Sequence, residues 1–280
     1  MVAMKKISIV NGKGGTGKTT IVRHLVYTAI ERGIRVLVVD LDPQGNLTRS
    51  MLYRKLTAKS GPSVMGAALT WEHLGLPDVT ENSSAHLLYQ GKRDVNPMRI
   101  VDGAAMIGAT PELEDVMTWP LESAAKARES LDALADQFDL CVIDTAPTMS
   151  NLVLGGMICA DYVVIPTDLG IDSMSGLLST SEKLELVKRE WNPDLELVGV
   201  LLNKVNLRRA DDQSMRTTVR NAFDDAVLEH ELRDRAGVRL TSFHPVWARL
   251  RGESDRLAAK EMLAVCDSIL ERIGLSVSNA

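Results

Sequence analysis

Ten consecutive residues, Asn11-Gly12-Lys13-Gly14-Gly15-Thr16-Gly17-Lys18-Thr19-Thr20, are the part of this chain best suited to chemistry. Gly12, Gly17, Lys18 and Thr19 satisfy the G-x-x-x-x-G-K-[ST] spacing of a phosphate loop. Glycines let such a loop turn tightly and point successive backbone N–H groups at one phosphate. The helix that follows directs its positive dipole end at the same spot. In this pattern Lys18 reaches the β- and γ-phosphates of a nucleotide, and the Thr19 hydroxyl holds a magnesium ion. A second lysine, Lys13, stands directly after the first glycine, where the spacing does not require a charge.

The loop works only if a strand delivers it and a helix receives it. Ile7-Ser8-Ile9-Val10 is an apolar run, and a helical pattern begins near Ile21. The alternation continues along the chain. Strands are expected over 5–10, 35–41, 104–108, 140–144, 162–166 and 195–203. Helices are expected over 19–32, 122–137, 151–159, 173–190, 213–230 and 256–273. Residues near 45–110 hold many glycines and prolines and read as short helices. Strands alternating with helices imply right-handed crossovers and a doubly wound, mostly parallel sheet, an α/β fold flanked by helices. No repeat or low-complexity linker interrupts residues 1–280, so a single domain is expected.

Composition narrows the possibilities. The 280 residues are 45% hydrophobic and 25% charged, with a net charge of −5, as in an ordinary soluble globular chain. A generally basic nucleic-acid binder is excluded, and any such contact must come from a local patch. Cys141, Cys159 and Cys266 form no C-x-x-C pair. That spacing disfavours a zinc site or a disulfide framework and fits a reducing cytoplasm. No apolar stretch approaches the roughly 18–20 residues of a membrane span.

With Lys13 in place, K-G-G-T-G-K-T-T resembles the deviant Walker A box of the ParA/MinD group of P-loop ATPases. The resemblance runs through the chain in order, including Ile165-Pro166-Thr167 and Ser175-Gly176-Leu177, and is weakest over 50–100 and 231–255. It implies a P-loop NTPase fold, ATP and Mg²⁺ as ligands, and Gly12 to Thr20 as the nucleotide cradle. In that family the extra lysine, here Lys13, reaches the nucleotide of a partner subunit. Asp40-Leu41-Asp42-Pro43-Gln44-Gly45-Asn46 is similar to the family's D-x-D-P-Q-G-N signature. By that resemblance Asp42 positions or activates the attacking water and Asp40 supports the magnesium shell. Cys141-Val142-Ile143-Asp144-Thr145-Ala146-Pro147 looks like a Walker B strand, with Asp144 holding the metal through water. Ala146 stands where the common D-x-P-P form has its first proline. Asn203 becomes the reader of the adenine edge, and the 243–247 loop around Pro245 closes over the ring.

The function implied is an ATP-dependent switch for plasmid or chromosome partitioning. ATP binding would join two subunits, the homodimer would bind DNA without sequence preference, and a ParB-like partner would stimulate hydrolysis. Only four residues precede the first strand, so a short form without the N-terminal helix-turn-helix arm of some relatives is expected. The stretch 204–256 holds eleven basic and nine acidic residues. Arg209, Arg216 and Arg220 are its most suggestive cations, with Arg249 and Arg251 next. Arg216 and Arg220 share a helical face at i,i+4. Two alternatives stay open: positioning of a protein cargo by the same switch, and a MinD-like ATPase at a membrane surface. The tail 270–280 carries only Glu271 and Arg272 as charged side chains, unlike the basic amphipathic helix that a membrane surface attracts. No membrane partner is therefore expected, and the location expected is cytoplasmic and nucleoid-associated.

Overall fold

The computed structural model describes residues 3–52, 81–170, 172–239, 244–248 and 250–275. Seven strands form its sheet: β1 Lys5–Ile9, β2 Val36–Leu41, β3 Met98–Val101, β4 Ala104–Ile107, β5 Leu140–Thr145, β6 Tyr162–Thr167 and β7 Glu196–Leu202. Their order is β3-β4-β2-β5-β1-β6-β7. Every neighbouring pair is parallel except β3 with β4. The doubly wound, mostly parallel sheet expected from the alternation is the one observed.

The central strands read as continuous apolar runs because both of their faces are covered. All six residues of β2 and all six of β5 are buried. Successive side chains point to opposite faces, and the core divides accordingly. Val36, Val38, Leu140 and Val142 pack in one layer with the helices α1 (Lys18–Glu31) and, at the far end of the chain, Glu253–Arg272. Leu37, Val39, Cys141 and Ile143 pack in the other. That second layer is built from α2 (Ser123–Asp132), α3 (Asn151–Cys159), α4 (Ser173–Glu190) and α5 (Ala210–Phe223), through Ala124, Leu152, Leu177 and Val219. The helix Glu253–Arg272 is α6.

Three elements depart from the sequence reading, and the first is the helix expected over 122–137, which ends at Asp132. β3 is an antiparallel edge strand joined to β4 by a turn at Gly103 (φ +83). Only Ile100 of its four residues is buried, which leaves too little alternation to see in sequence. The helix expected over 213–230 instead starts at Ala210 and ends at Phe223. Asp224 takes φ 41, which no helix continues through, and the chain then turns so that Val227 bridges to Val200 of β7. Of the short helices expected near 45–110, residues 53–80 lie outside the described residues, and His86–Tyr89 is a single turn.

Candidate nucleotide site

The loop between β1 and α1 wraps the first turn of α1. Gly15 (φ +80) and Gly17 (φ +94) sit in the left-handed region that favours glycine. At Gly17 a Cβ would also lie 2.3 Å from Asn203 Nδ2, so a side chain there would collide. Lys18 is buried, and its Nζ donates to the Asn11 and Lys13 carbonyls at 2.9 and 3.3 Å. Burial lowers the Lys18 pKa, against the pull of Asp144 and Asp42. A cavity of about 450 Å³ opens over the loop, lined by Gly15, Gly17, Lys18, Thr19, Thr20 and Asp42 among others. That volume lies within the range of small-ligand pockets, roughly 300–1,000 Å³.

Sheet register supplies the carboxylates. Asp40 and Asp144 are direct partners across β2 and β5, and Asp144 also pairs with Ile9 of β1. The Asp40 carboxylate is fully buried and committed. Oδ1 accepts the Asp42 N–H at 3.1 Å, and Oδ2 accepts the Thr48 N–H and hydroxyl at 2.8 and 2.6 Å. Burial holds its pKa up at about 6. Asp40 therefore fastens the 42–48 segment from behind, and Asp42 is the carboxylate that lines the cavity. Burial also raises the Asp42 pKa.

Asp144 is the anomaly. It is fully buried, and neither carboxylate oxygen has a partner at hydrogen-bonding geometry. Burial, then the Asp40 carboxylate, pushes its pKa well up, against the Thr19 hydroxyl and the Lys18 ammonium. An orphaned buried carboxylate is costly, and a divalent cation removes that cost. The donors fit magnesium, which takes hard oxygen ligands, few of them carboxylates, together with water and phosphate. Among the described residues no three His, Cys, Asp or Glu side chains group closely enough to hold an ion by themselves. A shell completed by Thr19, phosphate and water is the one this site could build.

The other expected residues fall in several places. Lys13 does not line the cavity; its Nζ is held by Asp168 Oδ1 at 3.1 Å and Ser173 Oγ at 2.6 Å within its own chain. Asn203 lines the cavity, but Nδ2 donates to the Thr16 carbonyl at 2.7 Å and Oδ1 accepts the Lys204 N–H at 2.8 Å. Those bonds occupy one donor and one acceptor of the amide expected to read a base. Pro245 lies next to Val246, whose N–H donates to His24 Nε2 at 3.1 Å. Phe243 and Arg249 lie outside the described residues. The Arg251 N–H donates to Asp255 at 3.0 Å, and Arg209 Nε is 3.8 Å from Asp212. Arg216 and Arg220 converge on one nearly buried carboxylate, Glu231, at 2.7 and 3.5 Å, and Arg233 joins them at 2.9 Å.

Sequence reading missed Asp168, Ser173, Lys204 and Glu231, and it missed Arg23, Arg233 and Arg235, which line the cavity. None of them sits in a compact motif. The one usable signal was Lys204, which follows Asn203 at a strand end.

A phosphate loop after β1, with carboxylates at the ends of β2 and β5 of a mostly parallel sheet, defines a P-loop nucleoside-triphosphatase fold. Residues 4–197 match the AAA_31 family, described as an AAA domain. Chromosome-partitioning ATPase Soj of Thermus thermophilus is 31% identical over 228 residues, 80% of this chain and 79% of that protein. Protein IncC of Escherichia coli is 28% identical over 276 residues, 98% of this chain and 71% of that protein. The chain belongs to this family of ParA-type P-loop ATPases. Solved structures share the fold. An ATP complex of a Cyanothece McdA variant superposes with a TM-score of 0.75 at 18% identity, over 99% of both chains. A cobyrinic acid a,c-diamide synthase of Mycobacterium smegmatis, with bound ATP analog and magnesium, gives 0.73 at 23% identity over 96% of both chains.

Proposed function

We propose that this protein is a magnesium-dependent ATPase that acts as a partitioning switch. The observation that carries the reading is Asp144, a fully buried carboxylate with both oxygens unpartnered beside Thr19 and Lys18. It is built for a cation that arrives with phosphate. The amides of the glycine loop and the Lys18 ammonium bind the phosphate chain, and Thr19 and Asp144 hold the ion. Held there, magnesium would supply positive charge against the phosphates. Asp42, on the cavity wall, orients the attacking water. Lys18→Ala removes the charge partner of the phosphates and should abolish binding of a fluorescent ATP analogue. Affinity near that of wild type would sink the reading.

The switch operates by ATP-dependent pairing of two subunits, with Lys13 reaching the partner's nucleotide. The paired form binds DNA without sequence preference, associates with the nucleoid, and is discharged by a ParB-like partner. The relatives named as chromosome-partitioning proteins support the partitioning part of this reading. One observation favours the protein-cargo alternative: Glu231 already occupies Arg216 and Arg220. Retention on random-sequence DNA at low salt with ATP decides between them, because only the DNA reading requires it.

A further inference from the structure

The end of β7 grips the phosphate loop at the wall of the cavity. Asn203 Nδ2 donates to the Thr16 carbonyl at 2.7 Å, and Lys204 Nζ donates to the Gly15 carbonyl at 2.6 Å. The two contacts take successive residues of β7's exit to successive carbonyls of the loop, across 187 and 189 positions of sequence. Lys204 reaches its carbonyl from a strained backbone. It is one of two non-glycine residues at positive φ among the described residues, at +57, and the Asn203 side chain caps its N–H at 2.8 Å.

A trans peptide is planar, so its C=O and the next N–H point in opposite directions. A Gly15 carbonyl turned to Lys204 therefore turns the Thr16 N–H away from it. A Thr16 carbonyl turned to Asn203 does the same for the Gly17 N–H. Inward-facing successive amides are what an anion nest consists of. We infer that Lys204 is a positioning residue for nucleotide binding: with Asn203 it sets the peptide planes of the phosphate loop so that the Thr16 and Gly17 amides face the phosphates. Lys204 is exposed, so its charge is well screened, and its contribution is directional. The inference rests on the nucleotide reading above.

The strained backbone gives a test in which two readouts part company. Lys204→Gly removes the ammonium while placing at φ +57 the residue that adopts it freely. A purely structural lysine would lose affinity only along with stability. The positioning role predicts an unchanged or higher Tm together with a Kd for fluorescent ADP raised roughly tenfold, the loss of one hydrogen bond's free energy. Lys204→Arg, which keeps a donor, should stay within about threefold of wild type. In nucleotide-free protein, hydrogen exchange at the Thr16 and Gly17 amides should be faster in Lys204→Gly than in wild type. Wild-type affinity in the glycine variant overturns the proposal. Failure of wild type itself to bind nucleotide would instead strike the nucleotide reading, and the exchange comparison then decides the role of Lys204 by itself: equal rates overturn it.

Discussion

Lys13 Nζ lies 3.1 Å from Asp168 Oδ1, a contact across 155 residues that ties the phosphate loop to the end of β6. Burial alone would raise the Asp168 pKa, but the Ser173 hydroxyl and Lys13 outweigh it and hold the carboxyl below its ordinary value. The Lys13 and Asp168 side chains keep 28% and 23% of their exposure, so solvent still screens the pair, which is worth on the order of 1 kcal/mol. A charge-assisted bond to a desolvated phosphate is worth roughly 1.5–3 kcal/mol. In the proposed dimer the lysine would leave Asp168 for the partner's nucleotide at small cost. Lys13→Ala should keep ATP affinity within about threefold while ATP-driven self-association, read by sedimentation, disappears. Loss of ATP binding itself would confine Lys13 to its own subunit.

Asp42 is the carboxylate on the cavity wall, and Asp40 is sealed behind it. Asp42→Ala should bind ATP but hydrolyse it at least about 100-fold more slowly, the usual scale for losing a positioned acid–base group. The variant should then accumulate as an ATP-bound dimer by light scattering. Turnover at the wild-type rate would remove Asp42 from the reaction.

His24 gives the fold an acid sensitivity. Its ring is buried and neutral: it lies 2.7 Å from the Thr20 carbonyl through Nδ1 and accepts the Val246 N–H through Nε2. Burial, then Arg23, pushes its pKa from 6.5 to about 3. Between those values the unfolded chain binds a proton that the folded chain refuses. Stability therefore falls as pH drops through that window, by on the order of 4–5 kcal/mol in full. His24→Gln keeps an acceptor for Val246 and removes the titration. Urea unfolding at pH 6.5 and pH 4.5 should show a smaller difference for the variant than for wild type. An unchanged difference would assign the acid sensitivity to other groups.

Arg216 and Arg220 test the DNA reading. Each phosphate contact contributes about 0.9 to the slope of log affinity against log salt. Arg216→Ala with Arg220→Ala should lower that slope by roughly two while ATP-driven dimerisation persists. An unaltered slope would show that Glu231 keeps both cations for the fold and that the DNA surface lies elsewhere.

The sheet and the phosphate loop were legible in sequence because they rest on local signals. Val36–Val39 and Leu140–Ile143 are unbroken apolar runs that each lead into an aspartate, and the glycine spacing is contiguous. The partners of the loop were not legible. Asp168, Asn203 and Lys204 meet residues 11–18 only because β6 and β7 lie beyond β1 in the sheet. Glu231 read as one more acid in a basic stretch. Its pairing with Arg216 depends on Asp224 ending α5 and returning the chain, a backbone turn that the side-chain pattern does not announce.

The register of β2 against β5 has a mechanical consequence. Asp40 and Asp144 are paired by the same ladder of hydrogen bonds that holds Val38 to Val142. A slip of one residue in either strand would swing that strand's carboxylate into the opposite helical layer, so intermediate positions are closed to it. The floor of the site behaves as an anvil. In the proposed cycle, any movement between nucleotide states would be made by the parts that meet it from above: the glycine loop and the Asp42 turn.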